Sequence, residues 1–309
     1  MNALTKCTFS EPLLCVALAI ALWPSDTAMS AGARKSDFNN DGFADLAIGV
    51  PDEDIAAIAD AGAVNVIYGG AGAGLQASND QFWHQNISGV VDTCEVDDHF
   101  GSALAEGDFN NDGFTDLAVG VPNEDVGTIL DAGAVHIFYG SASGLSAAKD
   151  KLWHQDVTGI ADLAEEEDQF GYALAVGDLN GDGFDDLAVG IRSESFGAVL
   201  NAGAVAVLYG SVNGIVATNN QFWSQNSANI LGDIGAGENF GASLAAGDFD
   251  HDGFDDLAIG VRDEDVNGVV DAGAVNVIYG SGLGLSTAGN QLWTQGNLGL
   301  LDLAETGDE

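Results

Sequence analysis

DFNNDGFADLAIG, residues Asp37–Gly49, decides the fold because it is written four times. Close copies begin at Asp108, Asp178 and Asp248, spaced 71, 70 and 70 residues apart. Two further landmarks keep the same step. DAGAV or NAGAV begins at Asp60, Asp131, Asn201 and Asp271, and a tryptophan recurs as Trp83, Trp153, Trp223 and Trp293. Three landmarks in one register establish an internal repeat of about seventy residues.

Each repeat reads as strands. DLAVGV, Asp116–Val121, sets Leu117, Val119 and Val121 against Ala118 and Gly120, a period of two with bulky groups on one face. GAVHIFYG (133–140) is β-branched and aromatic; KLWHQ (151–155) and FGYALAVGD (170–178) complete four short strands per unit. No segment combines a sustained helical period with caps. Four-stranded units at this period point to an all-β fold, a β-propeller whose radial repetition protects the sheet edges. A β-solenoid is the main competitor, but its rungs are usually much shorter.

Phe-Gly pairs at Phe100-Gly101, Phe170-Gly171 and Phe240-Gly241 precede the later Asp-rich loops by eight residues, and GVP follows at 49–51 and 120–122. Together with GDFNNDGFTDLAVG (107–120), these motifs resemble the FG-GAP repeats of integrin α-subunit N-terminal propellers and their bacterial relatives. The resemblance covers essentially the whole chain after its first 33 residues. It implies four-stranded blades, seven to a ring, with calcium in the Asp-rich loops of some blades. Arg192 and Arg262 replace the GVP proline in the later repeats, and four repeats are too few for a seven-bladed ring. A partial propeller is therefore expected, its repeats spanning about 37–99, 100–169, 170–239 and 240–309.

The Asp-rich loops have the residue types a calcium ion needs: hard oxygens at alternate positions around a tight glycine turn. In the first, Asp37, Asn39, Asp41 and Asp45 stand at loop positions one, three, five and nine, with the backbone carbonyl of Phe43 at seven. The second offers Asp108, Asn110, Asp112, Phe114 and Asp116; the third Asp178, Asn180, Asp182, Phe184 and Asp186. The fourth offers Asp248, Asp250, Asp252, Phe254 and Asp256, one carboxylate more than the others. An EF-hand would need a bidentate Glu at position twelve and flanking helices. Position twelve is Ile48, Val119, Val189 or Ile259, within a strand pattern, so the helical version is rejected. An ion-free Asx-rich turn accounts for Asp or Asn at one or two positions, not for four ligand positions kept in four copies. The side-chain charges of the four loops are −3, −3, −3 and −4. Close carboxylate pairs repel by on the order of 1 kcal/mol even in water. About four Ca²⁺ ions, one per loop, are expected, and a structural role follows from the loops' position between strands.

The chain has 309 residues, 48 acidic and 7 basic. So negative a surface is repelled by phosphate backbones and anionic lipid, which argues against nucleic-acid and membrane-surface binding. The first 33 residues read as an export signal: Lys6, the apolar LLCVALAIALW (13–23), and AGA at 31–33 for cleavage. No membrane span is expected once it is removed, and the apolar stretch is too short for a spanning helix. Cys94 is the one thiol after residue 33, so no internal disulfide is available there.

No GxSxG elbow, P-loop or zinc-type Cys/His cluster is present. His84 and His154 share a repeat position that Ser224 and Thr294 fill elsewhere, which suits a blade-edge residue better than a catalytic one. The repeated tryptophans suit blade packing better than a sugar platform. A non-enzymatic, secreted calcium propeller is expected, an adhesion module taking a protein or glycan ligand at its variable loops. The alternative is the propeller portion of a larger extracellular hydrolase, phospholipase-like by the same resemblance. A Phe-Gly pair would next fall one residue beyond Glu309, and Met29-Ser30 stand where one would precede Asp37. A truncated fragment, or an arc closed by self-association, is the corresponding expectation.

Overall fold

The computed structural model describes residues 36–72, 74–295 and 303–308, within one unit that runs from Arg34 to Glu309. The export signal read at residues 1–33 lies outside the described residues. Strands form in four successive antiparallel meanders. The first sheet holds β1 (Leu46–Val50), β2 (Ala63–Tyr68) and β3 (Gln76–Trp83). The second holds β4 (Ala103–Gly107), β5 (Asp116–Val121), β6 (Ala134–Phe138) and β7 (Leu152–Trp153). The third holds β8 (Phe170–Gly177), β9 (Asp186–Ile191), β10 (Ala204–Tyr209) and β11 (Val216–Trp223). The fourth holds β12 (Phe240–Gly247), β13 (Asp256–Val261), β14 (Ala274–Tyr279) and β15 (Ser286–Trp293). The described residues contain no α-helix, and none of their segments is a helix long and apolar enough to cross a membrane.

The four sheets are propeller blades. Strands β4, β8 and β12 lie side by side, each the first strand of its own sheet. The central strands of the second and third blades are buried on both faces: Leu187, Val189 and Ile191 of β9 are wholly inside, and Ala188, on the opposite face, packs in the cluster shared with the fourth blade. Apolar clusters cross the junctions. Val135, Ile137 and Trp153 of the second blade pack with Phe170, Leu187 and Val189 of the third. Val205 and Val207 of the third pack with Phe240, Leu257 and Ile259 of the fourth. Trp153 is 1% exposed and Trp83 8%, so both belong to the blade interior.

The Phe-Gly pair is the hinge pin of each junction. Phe100, Phe170 and Phe240 are fully buried, and their amides donate to the carbonyls of Ala61, Ala132 and Ala202 in the preceding blade, at 3.0, 2.9 and 2.8 Å. The glycines that follow have φ near 92°, which turns the chain before the strand proper and accounts for the register shift between Phe170 and Ala173. The backbone of Gly171 also comes so close to Gly120 that a Cβ there would lie 2.2 Å from the Gly171 carbonyl oxygen. Arg192, in the place of the GVP proline, lies over the ring of Tyr172, 4.7 Å from its centroid.

Candidate metal centres

In the second, third and fourth blades the Asp-rich loop joins the first and second strands, between Gly107 and Asp116 in the second, which are opposite one another in the ladder; in the first sheet it leads into β1. The loop is wound by its own carboxylates. Asp108 at position one accepts the amides of Asp112 at 3.0 Å and Gly113 at 2.9 Å, and Asp112 accepts the amide of Phe114 at 3.0 Å. The same bonds form around Asp37 and Asp41, Asp178 and Asp182, and Asp248 and Asp252. Tight winding needs left-handed backbone at positions four and six. Asn40, Asn111, Gly181 and His251 supply the first, with φ of 53, 53, 71 and 66°; Gly42, Gly113, Gly183 and Gly253 supply the second.

Position three differs between copies. The side-chain oxygens of Asn39, Asn180 and Asp250 accept the amides of Asp41, Asp182 and Asp252, at 3.0, 2.8 and 3.1 Å. Asn110 Oδ1 is buried with no partner among the described residues, so the second loop leaves one of its oxygens unsatisfied by protein groups. In the fourth loop Asp248, Asp250 and Asp256 offer oxygens that all lie within 4.8 Å of one another.

The Asp at position nine has a second task that the spacing did not reveal. Asp116 is fully buried; its Oδ2 accepts the amide of Phe109 at 3.0 Å, and its Oδ1 accepts that of Gly140 at 2.8 Å. Asp45, Asp186 and Asp256 bind the matching amides. These carboxylates therefore tie the loop's start to the turn after the blade's third strand. Each oxygen keeps a second lone pair, so the same group can still face a cation. Burial pushes the Asp116 carboxyl up to about 8, and the charges of Asp108 and Asp112 push the same way against the amide of Gly140. Asp186 is pushed up to about 7 by the same causes. Asp45 and Asp256 are also raised, mainly by burial. A cation in the loop would reverse that shift. The donors are all hard oxygens, with one orphaned and the carboxylates mutually repelling, so the residues present fit calcium.

Position eight carries a contact the sequence reading did not anticipate. Asp185 Oδ2 accepts the amide of Asp108 from the preceding loop at 2.7 Å, while the Asp185 amide donates back to the Asp108 carbonyl at 3.3 Å. Asp255 does the same for Asp178, at 2.9 and 3.0 Å. Thr115 does so for Asp37 through its hydroxyl, at 3.1 and 3.2 Å. The loops are thus linked in series, position eight of each to position one of the loop before. The signal was present, since Thr115, Asp185 and Asp255 keep the repeat step. Their partners, however, lie 77 or 78 residues away.

The histidines stand apart from these loops in all but one case. His136 is wholly buried, its Nδ1 3.0 Å from Asp150 Oδ2. His84 and His154 are half-buried in the blade, and burial lowers both. His251 is itself a loop residue, at position four, with Nδ1 3.8 Å from Asp248.

The FG-GAP repeat model matches residues 35–67, 100–138, 170–208 and 240–278; the last three matches run from the first to the third strand of a blade, and the first spans the Asp-rich loop, β1 and most of β2. Among curated proteins the chain is similar to phosphatidylinositol-glycan-specific phospholipase D of Rattus norvegicus, 33% identical over 154 residues, 50% of this chain and 17% of the relative. It is also similar to integrin alpha-PS5 of Drosophila melanogaster, 34% identical over 168 residues, 54% of this chain and 15% of the relative. The matched part is less than a fifth of either relative's length. Among solved structures a rhamnogalacturonan lyase of Bacillus licheniformis aligns at a TM-score of 0.39 and 13% identity, over 72% of this chain and 38% of that one. Motif, blade and loop agree with the family model at all four places, and the chain is an FG-GAP repeat protein.

Proposed function

We propose that this chain is a secreted, calcium-loaded propeller that serves as an adhesion or ligand-binding module, with no catalytic role of its own. The observation that carries the calcium part is the buried, unpartnered Asn110 Oδ1 inside a loop whose other oxygens are carboxylates. Calcium in such loops would neutralise charge at the points where successive blades are linked, and so hold the blades in register. The binding part is supported by what each blade holds out to solvent. Leu130, Leu200 and Val270 keep the repeat step and are 53, 60 and 49% exposed. These three exposed apolar side chains, one in each of the second, third and fourth blades, are the contacts offered to a protein or glycan partner. Self-association is a further proposal.

Calcium titration of chelator-stripped protein, followed by calorimetry, tests the reading. Binding at the loops in the range of extracellular modules, about 10⁻⁴–10⁻³ M or tighter, is expected. Asp182→Asn should remove one site. No heat and no bound calcium at several millimolar would overturn it. The second reading, the propeller portion of a larger extracellular hydrolase, is favoured by the similarity to phospholipase D. Phospholipid-hydrolase assays on the full gene product separate the two.

A further inference from the structure

A second oxygen cluster lies away from the Asp-rich loops, at the junction of the second and third blades. Glu165 and Asp168 come from the turn before Phe170, Glu194 from the turn after β9, and Gln155 from the turn after β7. One carboxylate oxygen from each of Glu165, Asp168 and Glu194 lies within 4.8 Å of the others. Asp168 and Glu194 are each 2% exposed and Gln155 is 1% exposed, whereas Glu165 is at the surface. Gln155 is aimed into the group: its Nε2 donates to Glu194 Oε2 at 2.7 Å, yet its Oε1 is buried with no partner. No ion pair among the described residues includes any of the three carboxylates.

The orphaned amide oxygen is not a local accident. Gln85 donates to Glu124 beside Asp98, and Gln225 donates to Glu264 beside Glu238; in both places the glutamine Oε1 is again buried and alone. An amide's oxygen and nitrogen exchange places by a half-turn of the terminal bond. That half-turn would bring Gln155 Oε1 to the carboxylates, which then need a positive charge between them.

We propose that Glu165, Asp168, Glu194 and Gln155 hold a hard divalent cation of calcium's class, separate from the Asp-rich loops. Three carboxylates and an amide carbonyl form an all-oxygen donor set, with the surface at Glu165 left for water ligands. The donors come from two blades, so the ion clamps the second blade to the third. The competing occupant is a proton shared between Asp168 and Glu194.

Equilibrium dialysis with radioactive calcium near neutral pH, on the full chain, decides between them. Glu165→Gln alters only the exposed donor and leaves the buried packing alone; Glu194→Gln removes a buried one. Each should bind one calcium fewer per chain than the unsubstituted protein, or bind one at least tenfold more weakly. Asp182→Asn reports separately on a loop, and Asp182→Asn combined with Glu165→Gln should lose two. Equal calcium in the unsubstituted protein, Glu165→Gln and Glu194→Gln overturns the proposal, whatever Asp182→Asn does. A loss in Glu165→Gln with none in Asp182→Asn would uphold this site and count against the loop.

Discussion

Gly190→Ala and Gly260→Ala are the same change at the same place in two neighbouring blades, and the structure predicts different outcomes. A Cβ on Gly190 would lie 2.2 Å from the carbonyl oxygen of Gly241 in the next blade and 3.2 Å from the Ala173 methyl. The obstructing atom is backbone, held in the turn that the buried Phe240 anchors. Relief therefore requires the third and fourth blades to part by about 1 Å, given ordinary contact distances of roughly 3.2–3.5 Å. Overpacking of this kind costs about 3 kcal/mol. Replacing a flexible glycine returns about 0.4–1 kcal/mol through the unfolded chain. The net loss is about 2 kcal/mol, or a melting midpoint lower by roughly 4–8 °C. A Cβ on Gly260 meets the Ser243 hydroxyl at 2.2 Å, but the next atoms lie 3.5 Å away. That hydroxyl can rotate aside, so Gly260→Ala should stay within about 0.5 kcal/mol of the parent. Thermal unfolding followed by circular dichroism in calcium buffer measures both. Equal losses would mean that the strand, rather than the neighbouring blade, rejects the methyl group, and would refute the account of the junction.

Three further outcomes follow from the same contacts. Asp185→Ala removes the acceptor for the Asp108 amide and should cost about 1.5–3 kcal/mol, the range for hydrogen bonds to charged groups, while weakening calcium at the second loop; urea midpoints and calcium titration read the two effects. Phe170→Ala empties a fully buried site between the second and third blades and should cost about 3–5 kcal/mol by urea unfolding. In metal-free protein, burial raises Asp98 and Asp168 to about 7, Glu194 to about 8 and Glu264 to about 7. The folded state then holds protons that the unfolded chain, with carboxyls near 4, has released. Stability is full below about pH 4 from these groups and is lost as pH rises through 7 to 8, so chelated protein should melt higher at pH 5 than at pH 8. A flat profile would contradict the burial of those carboxyls.

The repeat made most of this fold legible. Strands at Asp116–Val121 and Phe170–Gly177 are those expected from the two-residue alternation, because both faces of the pleat meet another blade or another strand. The winding residues of the loops were legible too, since Asp, Asn and Gly act on backbone only a few positions away. What escaped the sequence was contact between repeats. Asp185 meets Asp108 across 77 residues, and Gln155 meets Glu194 across 39. Neither distance has a local signature, although Gln85, Gln155 and Gln225 keep the repeat step beside Glu124, Glu194 and Glu264. The dual task of Asp116 was hidden for a different reason. A carboxylate spaced as a ligand has the same appearance in sequence as one that binds two amides.

Calcium in the Asp-rich loops is proposed to hold the blades in register. The most direct test is the melting midpoint of the full chain at neutral pH, in millimolar calcium and in excess chelator. A ligand at about a hundred times its dissociation constant stabilises by about 2.7 kcal/mol per site, so several filled loops should raise the midpoint by 10 °C or more. The same midpoint with and without calcium would contradict the account.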